Sequence, residues 1–390
     1  MKAESYLSRG VSPTKDDVRQ AVASQSKGLF PGSFCKIIPD LAGDPEYCLA
    51  IHADGAGTKS SVAYLMARET GDPGWYRGIA QDSLVMNTDD LLCIGATDHF
   101  KISNTIGRNA HRVDATALAA IIRGYEDVIN ALAAYGVAIE MTGGETADVG
   151  DLVRTVICDS TVVVRLKRQD VIDASAIRPG LGIVGLASFG QATYESRENS
   201  GIGSNGLTGA RHMLLHKDYL RKYPESCSDT LPADRAYCGI YHLADPLPGS
   251  SLSVGEALLS PTRTYLPVMR EILASYRPGI AGIIHCTGGG QVKCRDFGRR
   301  VRYVKDNLFP APPIFQAIRE SGEVQAEEMY QIFNMGHRLE IYCEEEAAAG
   351  ILAVCSQFRL DGRVVGHTEE SPLPDANQVI IEDQGRTFCW

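Results

Sequence analysis

The chain has 390 residues, 44% hydrophobic and 22% charged, with a formal net charge of −10. Its length leaves room for two domains, or three small ones, each with its own core. The acidic balance argues against a general nucleic-acid surface, so a phosphate-bearing ligand needs a local site or a metal ion. No apolar run approaches the ~20 residues of a membrane span, and Met1–Arg9 has no apolar core of a signal peptide. The eleven cysteines are an odd number with no Cys-x-x-Cys pair. They read as small buried hydrophobes in a reducing compartment, which makes the cytoplasm the expected location.

Residues 1–30 read as a polar arm with one helix over 15–24, closed by a turn at Pro31-Gly32. Tyr47–Ile51 is a predicted buried strand, and His52-Ala-Asp-Gly-Ala-Gly-Thr-Lys59 follows it. Val62, Leu65, Met66 and Glu69 then recur at helical spacing, so a helix is expected to start near Thr58. Asp54, Gly55, Gly57, Thr58 and Lys59 therefore sit at a strand-to-helix turn, where backbone N–H groups and the helix dipole favour an anion. In that setting Asp54 can hold magnesium and Lys59 can supply a point charge to phosphates. The Walker spacing is missing, and an Asp-Gly turn followed by a helix cap remains the alternative.

A helix is predicted over Asp82–Ala96, with Asp89 and Asp90 set among its apolar residues. Two adjacent acids there need partners, because burying carboxylates alone is costly. Asp114 is expected to cap a helix whose apolar face runs from Leu118 to Leu132 and which ends at Gly136. A strand, Val137–Met141, leads into a second glycine turn, Thr142-Gly-Gly-Glu-Thr-Ala-Asp148, which carries Glu145 and Asp148. Leu152–Val164 reads as one or two β-branched strands, and a change of unit falls near Lys167–Ile177.

The second half opens with a strand over Leu181–Ala187 and the loop Gly201-Ile-Gly-Ser-Asn-Gly206. That loop matches Gly-x-Gly-x-x-Gly but does not directly follow its strand, which argues against a dinucleotide site. His212 and His216 lie one helical turn apart. With no zincin glutamate and no evident third ligand, they read as partly exposed helical histidines. Residues 217–252 form an irregular segment without an assigned role. Ser253-Val-Gly-Glu256 fits a capping box, Ile280–Cys286 a strand, and Thr287-Gly-Gly-Gly290 a third glycine turn. Helices over Pro312–Ser321, Gln325–Phe333 and Glu345–Phe358 alternate with strands at His337–Cys343, Arg363–Gly366 and Val379–Ile381. The alternation predicts an α/β or α+β fold.

Seven blocks occur in order: Asp54-Gly-Ala-Gly-Thr-Lys59, Asp89-Asp-Leu-Leu-Cys-Ile-Gly-Ala96, Gly143-Gly-Glu-Thr-Ala147, Ser200-Gly-Ile-Gly-Ser-Asn-Gly206, Ser260-Pro-Thr-Arg263, His285-Cys-Thr-Gly-Gly-Gly290 and Met329-Tyr-Gln-Ile-Phe-Asn-Met-Gly336. Together they resemble the aminoimidazole ribonucleotide synthetase family, the phosphoribosylformylglycinamidine cyclo-ligases of purine biosynthesis, from about residue 47 onward. The resemblance implies two α/β domains: an N-terminal ATP-binding one over 31–168 after the arm, and a C-terminal one over 169–390. The second would carry a mixed sheet flanked by helices. It also implies a homodimer whose first-domain strands form a barrel, and ATP with Mg2+ as cofactors in a site shared between subunits.

By the same resemblance Asp54, Asp90 and Glu145 are metal candidates, and Gly55, Gly57, Thr58, Lys59, Gly144 and Thr146 would face the phosphates. Gly201, Ser204, Asn205, Gly206, Thr287, Gly288, Gly289 and Gly290 would line the cleft for formylglycinamidine ribonucleotide. Lys59 and His285 are the catalytic candidates, His285 being either a proton carrier or a core histidine bonded to its own loop. Replacing Lys59 by Ala should then lower turnover more than stability. Departures from the family pattern are Asp148-Val149-Gly150 after the glycine block, Gly203 in place of a histidine, Asp89 in place of an asparagine, and the altered arm Tyr6–Ser12. The rival readings are another ATP-using superfamily member, such as a thiamine-phosphate kinase, and a non-catalytic nucleotide-binding paralogue.

Overall fold

The computed structural model describes residues 4–11 and 20–390; the first half of the helix expected over 15–24 lies outside them. A five-stranded sheet takes the first half. Its strands are β1 (Ile37–Pro39), β2 (Tyr47–Gly55), β3 (Phe100–Arg108), β4 (Ile139–Asp148) and β5 (Val156–Lys167), in the order β1-β2-β5-β3-β4. All neighbours are antiparallel except β3 and β4. Helices α1 (Lys59–Thr70), α2 (Arg77–Leu92) and α3 (Ala115–Ala133) accompany it, and α2 lies across β2 and β5. Along β5 the pleat alternates: Cys158, Ser160, Val162 and Val164 are buried, while Ile157 and Thr161 on the opposite face are exposed. One face of this sheet is therefore covered by helices, and the other presents Ile51 and Ile157 to solvent.

Local chemistry sets the helix ends. The Asp114 carboxylate accepts from the backbone N–H groups of Thr116 and Ala117, satisfying orphan donors at the start of α3. Gly136 takes a positive φ just past that helix. Helix α2 starts at Arg77, more than a turn before the expected Asp82. The preceding Pro73–Tyr76 turn, capped by Asp72, feeds directly into it. It is buried on nearly every side, including Asp82, Asn87, Asp89 and Asp90, so its polar residues are contacts to a second layer rather than a solvent face.

The expected turn at Thr142–Asp148 is instead the body of β4, an edge strand paired in parallel with β3. The two glycines do not break it. A register shift between Ile102 and Asn104 absorbs the irregularity. Strands β1 and β3 were not expected from the sequence.

The second half forms a seven-stranded mixed sheet. Its strands are β6 (Gly182–Ala187), β9 (Ile280–His285), β10 (Val301–Lys305), β11 (His337–Cys343), β12 (Gly362–Glu370), β13 (Gln378–Asp383) and β14 (Arg386–Cys389). The order is β14-β13-β10-β12-β6-β11-β9, with β10 and β13 the parallel pair. A two-stranded ribbon, β7 (Phe189–Gly190) with β8 (Asn199–Ser200), precedes the glycine loop. Besides the short helix Asp218–Lys222, the helices are α4 (Leu207–Leu214), α5 (Val254–Leu258), α6 (Leu266–Tyr276), α7 (Pro313–Ser321), α8 (Ala326–Ile332) and α9 (Glu345–Gln357). Both halves of the Ser253/Glu256 capping box form at α5. Helix α9 packs on β6 and β12 and against α6, while α6 reaches back to α2.

Candidate active site

The turn after β2 runs directly into α1, with Thr58 as its N-cap residue, so Asp54 to Lys59 occupy the strand-to-helix corner expected of them. The Thr58 and Thr208 hydroxyls meet at 2.8 Å, and Lys59 Nζ donates to the Gly203 carbonyl at 3.2 Å. The first glycine turn and the Gly201–Gly206 loop are thus brought together from different sheets. Asn334 fixes that loop from behind. Its Nδ2 donates to the Gly201 carbonyl at 2.8 Å, and its Oδ1 accepts from Ser188 Oγ at 2.9 Å. Ser204 Oγ donates to Asp82 Oδ1 at 3.1 Å, and Asn205 Oδ1 is buried without a hydrogen-bond partner.

Lys59 departs from expectation. Its side chain is fully buried, and its three ammonium donors go to Asp82 Oδ1 at 2.8 Å, to Gly203 O and to Ser260 O. Burial pulls its pKa below the ordinary lysine value, against the opposing pull of Asp82. An ammonium with every donor used inside the protein has none left for a phosphate. Asp82 Oδ1 also accepts the backbone N–H and hydroxyl of Thr262, at 2.7 Å and 2.5 Å, so this carboxylate joins α2 to the Ser260–Arg263 block.

Asp90 and His285 meet as a buried pair, Oδ1 to Nδ1, at 2.7 Å. Arg338 Nε donates to His285 Nε2 at 2.9 Å, which makes Nδ1 the protonated nitrogen and leaves the imidazole neutral. Burial pushes the His285 pKa down to about 4, with Asp90 opposing and Arg338 reinforcing the shift. Burial works to raise the Asp90 carboxyl, but the His285 hydrogen bond, Lys293 and His52 hold it below its ordinary value. His52 Nε2 lies 3.3 Å from the other Asp90 oxygen, and its Nδ1 is 2.9 Å from Asn87 Oδ1. Asn87 in turn donates to the Asp54 carbonyl at 3.1 Å. A polar chain therefore runs Asp54–Asn87–His52–Asp90–His285–Arg338. Lys293 reaches Thr287 Oγ1 at 2.9 Å and stands over the Phe34 ring at 4.4 Å, beside the Thr287–Gly290 turn.

Asp89 points elsewhere. It accepts from Thr264 Oγ1 at 2.8 Å and from the Tyr265 backbone N–H at 3.0 Å, capping the entry to α6. Full burial raises its pKa to about 7, although Arg338 and these hydrogen bonds oppose the shift.

Glu145, Gly144 and Thr146 lie on β4, at the far edge of the first sheet. The register Gly55–Asp159–Thr105–Glu145 crosses three strand spacings, ~14 Å. Within one chain Glu145 therefore does not join Asp54. Asp159 does: its carboxylate lies over Gly55, where a Cβ would fall 1.7 Å from Oδ1. Its pKa is raised chiefly by partial burial and then by the charge of Asp54. Sequence reasoning missed Asp159, although a lone acid inside the apolar run Val156–Val164 is itself a signal. It also gave no role to Asn87 and Lys293, which belong to none of the glycine turns, or to His52, which stands just before the first.

A cleft of about 980 Å³ opens near the N-terminus of α2, lined by Trp75, Arg123, Tyr194 and Pro261 among others; none of the expected site residues borders it.

Residues 35–164 match the family described as AIR synthase related protein, N-terminal domain, and residues 178–376 match its C-terminal domain. The chain belongs to this family. It is 30% identical over 350 residues to a Pyrococcus furiosus protein named phosphoribosylformylglycinamidine cyclo-ligase, covering 88% of this chain and 84% of that one. A Methanocaldococcus jannaschii protein of the same name is 26% identical over 340 residues, covering 86% and 82%. Among solved structures, Thermotoga maritima PurL complexed with FGAR superposes with a TM-score of 0.56 at 18% identity, over 96% of this chain. This chain spans about half of that one (48%). The likeness establishes the two-unit α/β architecture. No helix among the described residues is long and apolar enough to cross a membrane.

Proposed function

We propose that the chain closes formylglycinamidine ribonucleotide to 5-aminoimidazole ribonucleotide, using ATP and releasing ADP and phosphate. The observation that carries this reading is the junction of the Gly55–Lys59 turn with the Gly201–Gly206 loop through Thr58–Thr208 and Lys59–Gly203. It puts a helix N-terminus able to hold a triphosphate beside a loop whose buried Asn205 acceptor awaits a donor. The names carried by the relatives and the ordered sequence blocks support the same chemistry.

In this reading the amide oxygen of the substrate, a poor leaving group, first receives the γ-phosphoryl. The neighbouring nitrogen then attacks the same carbon and expels phosphate. The backbone donors of the Gly55–Thr58 turn position the triphosphate, and positioning with charge neutralisation is most of what phosphoryl transfer requires. Asp54 and Asp159, two carboxylates close enough to raise a pKa, are a donor set suited to magnesium. When bound, magnesium would neutralise phosphate charge. Lys293, standing at the Thr287–Gly290 turn, takes the substrate-facing cationic role in place of Lys59. Lys59 positions the glycine loop through Asp82, and His285 orients Asp90 rather than exchanging protons with the substrate. Closure must exclude water, because a phosphorylated amide hydrolyses readily.

The exposed face of the first sheet, with Ile51 and Ile157, is the surface through which two copies pair, and the pairing brings Glu145 of one copy toward Asp54 of the other. Purified chain mixed with ATP and magnesium should release phosphate only when formylglycinamidine ribonucleotide is present. Release driven by thiamine phosphate instead would assign it to a kinase. Absence of turnover with either substrate would leave a nucleotide-binding paralogue. In the same assay Asp54→Asn should lose magnesium-ATP binding with the fold intact, and unchanged nucleotide affinity would remove Asp54 from the site.

A further inference from the structure

The irregular segment after α4 holds a cluster that the reaction does not use. His216 leaves the end of α4, Asp218 opens the short helix Asp218–Lys222, and His242 returns from 26 residues further along the chain. Their side chains converge: His216 Nδ1 is 3.1 Å and His242 Nε2 is 3.4 Å from the same oxygen, Asp218 Oδ2. All three ligand atoms lie within 4.8 Å of one another. Backbone pairing holds the two segments in place, since His216 N donates to Tyr241 O at 2.8 Å and bridges join Leu215 to Tyr241 and His216 to Gly239.

We propose that His216, Asp218 and His242 form a binding site for a divalent transition ion of the zinc type, with water as the fourth ligand. Zinc binds imidazole nitrogen and carboxylate oxygen at 2.0–2.2 Å, which puts tetrahedral ligand atoms about 3.3 Å apart. The two edges that meet at Asp218 Oδ2, 3.1 Å and 3.4 Å, match that figure. His216 Nδ1 has a single lone pair, which faces both the Asp218 backbone N–H at 3.3 Å and Asp218 Oδ2 at 3.1 Å, so ion binding takes that lone pair from the longer backbone contact.

Outer contacts orient the ligands. Arg221 pairs with Asp218 Oδ1, leaving Oδ2 for the ion, and Asp245 accepts the His242 backbone N–H at 2.6 Å with the same carboxylate oxygen 3.7 Å from His242 Nδ1. Imidazole donors select zinc-like ions over magnesium. The segment so pinned rests on α1, through Lys222 to Glu69 at 2.6 Å and Tyr64 to Glu225, which makes the ion a structural clamp behind the helix that carries the phosphate turn.

The test is titration of the metal-stripped full chain with zinc chloride and, separately, magnesium chloride, followed by calorimetry and metal analysis. About one zinc ion per chain should bind, magnesium should not compete, and the His216→Gln/His242→Gln double variant should bind at least about a hundred-fold more weakly. Asp245→Asn should weaken binding about ten-fold. Unaltered zinc binding in the double variant, which retains the exposed thiol of Cys238, would overturn the proposal, as would equal binding of magnesium. On the unmodified chain, zinc should shift the ring NMR signals of His216 and His242 and spare the exposed His99 and His111; shifts spread over all four would also overturn it.

Discussion

Lys59 Nζ lies 2.8 Å from Asp82 Oδ1, and neither side chain has any exposed surface. The pair joins the first residue of α1 to the middle of α2 and, through Thr262 and Gly203, to the second half of the chain. Asp82 Oδ2 already lacks a partner, so removing the lysine leaves a buried carboxylate charge with only the neutral donors of Thr262 and Ser204 on Oδ1. Lys59→Met should therefore cost about 3–5 kcal/mol of stability. This reverses the order expected from sequence, in which turnover falls before stability. Lys59→Met/Asp82→Asn should recover much of the loss, since it removes the uncompensated charge and keeps the acceptor for Thr262. Urea unfolding of the three proteins decides it; a single variant within about 1 kcal/mol of the parent would mean the pair adds nothing.

Two glycines from different turns separate ligand approach from packing. Gly57 has φ +57° and nothing within 4 Å of where a Cβ would stand. Gly290 has φ +53°, and its Cβ would fall 2.5 Å from the Tyr330 carbonyl oxygen and 2.7 Å from that of Phe333. The backbone strain is alike, ~1–2 kcal/mol for a non-glycine residue at positive φ. Only Gly290→Ala adds a clash with immovable backbone. Gly57→Ala should fold with a stability loss of about 1–2 kcal/mol but bind ATP at least about ten-fold more weakly, because the methyl stands where phosphate approaches. Gly290→Ala should lose markedly more stability. Equal melting temperatures for the two variants would show that the Tyr330–Phe333 contact yields.

The strand-turn-helix at Tyr47–Thr70, the Asp114 cap and the Ser253/Glu256 box were legible because each is written in consecutive residues. The adjacent acids Asp89 and Asp90 were legible as an anomaly, but not their separate partners, since Tyr265 and His285 lie 176 and 195 residues away. Thr142–Asp148 misled because paired glycines read as a turn, whereas the strand runs on through them: Gly144 pairs with Asn104 of β3, and Gly143, at φ +124°, sits at the register shift. Lys59 misled for a related reason. A lysine after a glycine turn has the composition of a phosphate site, and only the tertiary position of Asp82 shows that its charge is already neutralised. His212, expected to be partly exposed, is buried with its Nδ1 accepting the Tyr237 N–H, while His216 found its partners across the irregular segment.

Arg263 gives the sharpest measure of what the Ser260–Arg263 block does. Its buried guanidinium donates to Glu195 through Nε at 2.8 Å and through Nη2, to the carbonyls of Ala187 and Phe189 through Nη1, and to Gly190 O at 2.9 Å. A lysine keeps the charge but offers three donors from one atom and cannot span both the carboxylate and the β6–β7 carbonyls. Arg263→Lys should therefore cost about 2–4 kcal/mol through unsatisfied buried acceptors. Hydrogen exchange should show increased opening localised to residues 187–200. Exchange rates there unchanged from the parent would deny the arginine its structural role.

His285 provides the pH test. Its folded pKa of about 4 lies below the ordinary imidazole value of 6.5, and burial is the main cause. Between those values the unfolded chain takes up a proton that the folded chain refuses. The stability linked to this group is thus fully present above about pH 6.5 and is lost as pH falls toward 4, with an upper limit of about 3 kcal/mol. Asp89 acts in the opposite sense, since its carboxyl is raised to about 7 and favours the folded state at low pH, so net unfolding curves mix the two. Ring nitrogen NMR isolates the histidine. At about pH 5 His285 should still show a neutral imidazole with the proton on Nδ1, held between Asp90 and Arg338, whereas in the urea-unfolded chain the same ring should be an imidazolium. A folded-state His285 signal that titrates as it does in the unfolded chain would mean that Arg338 does not donate to it, and a role in carrying protons to the substrate would then be restored.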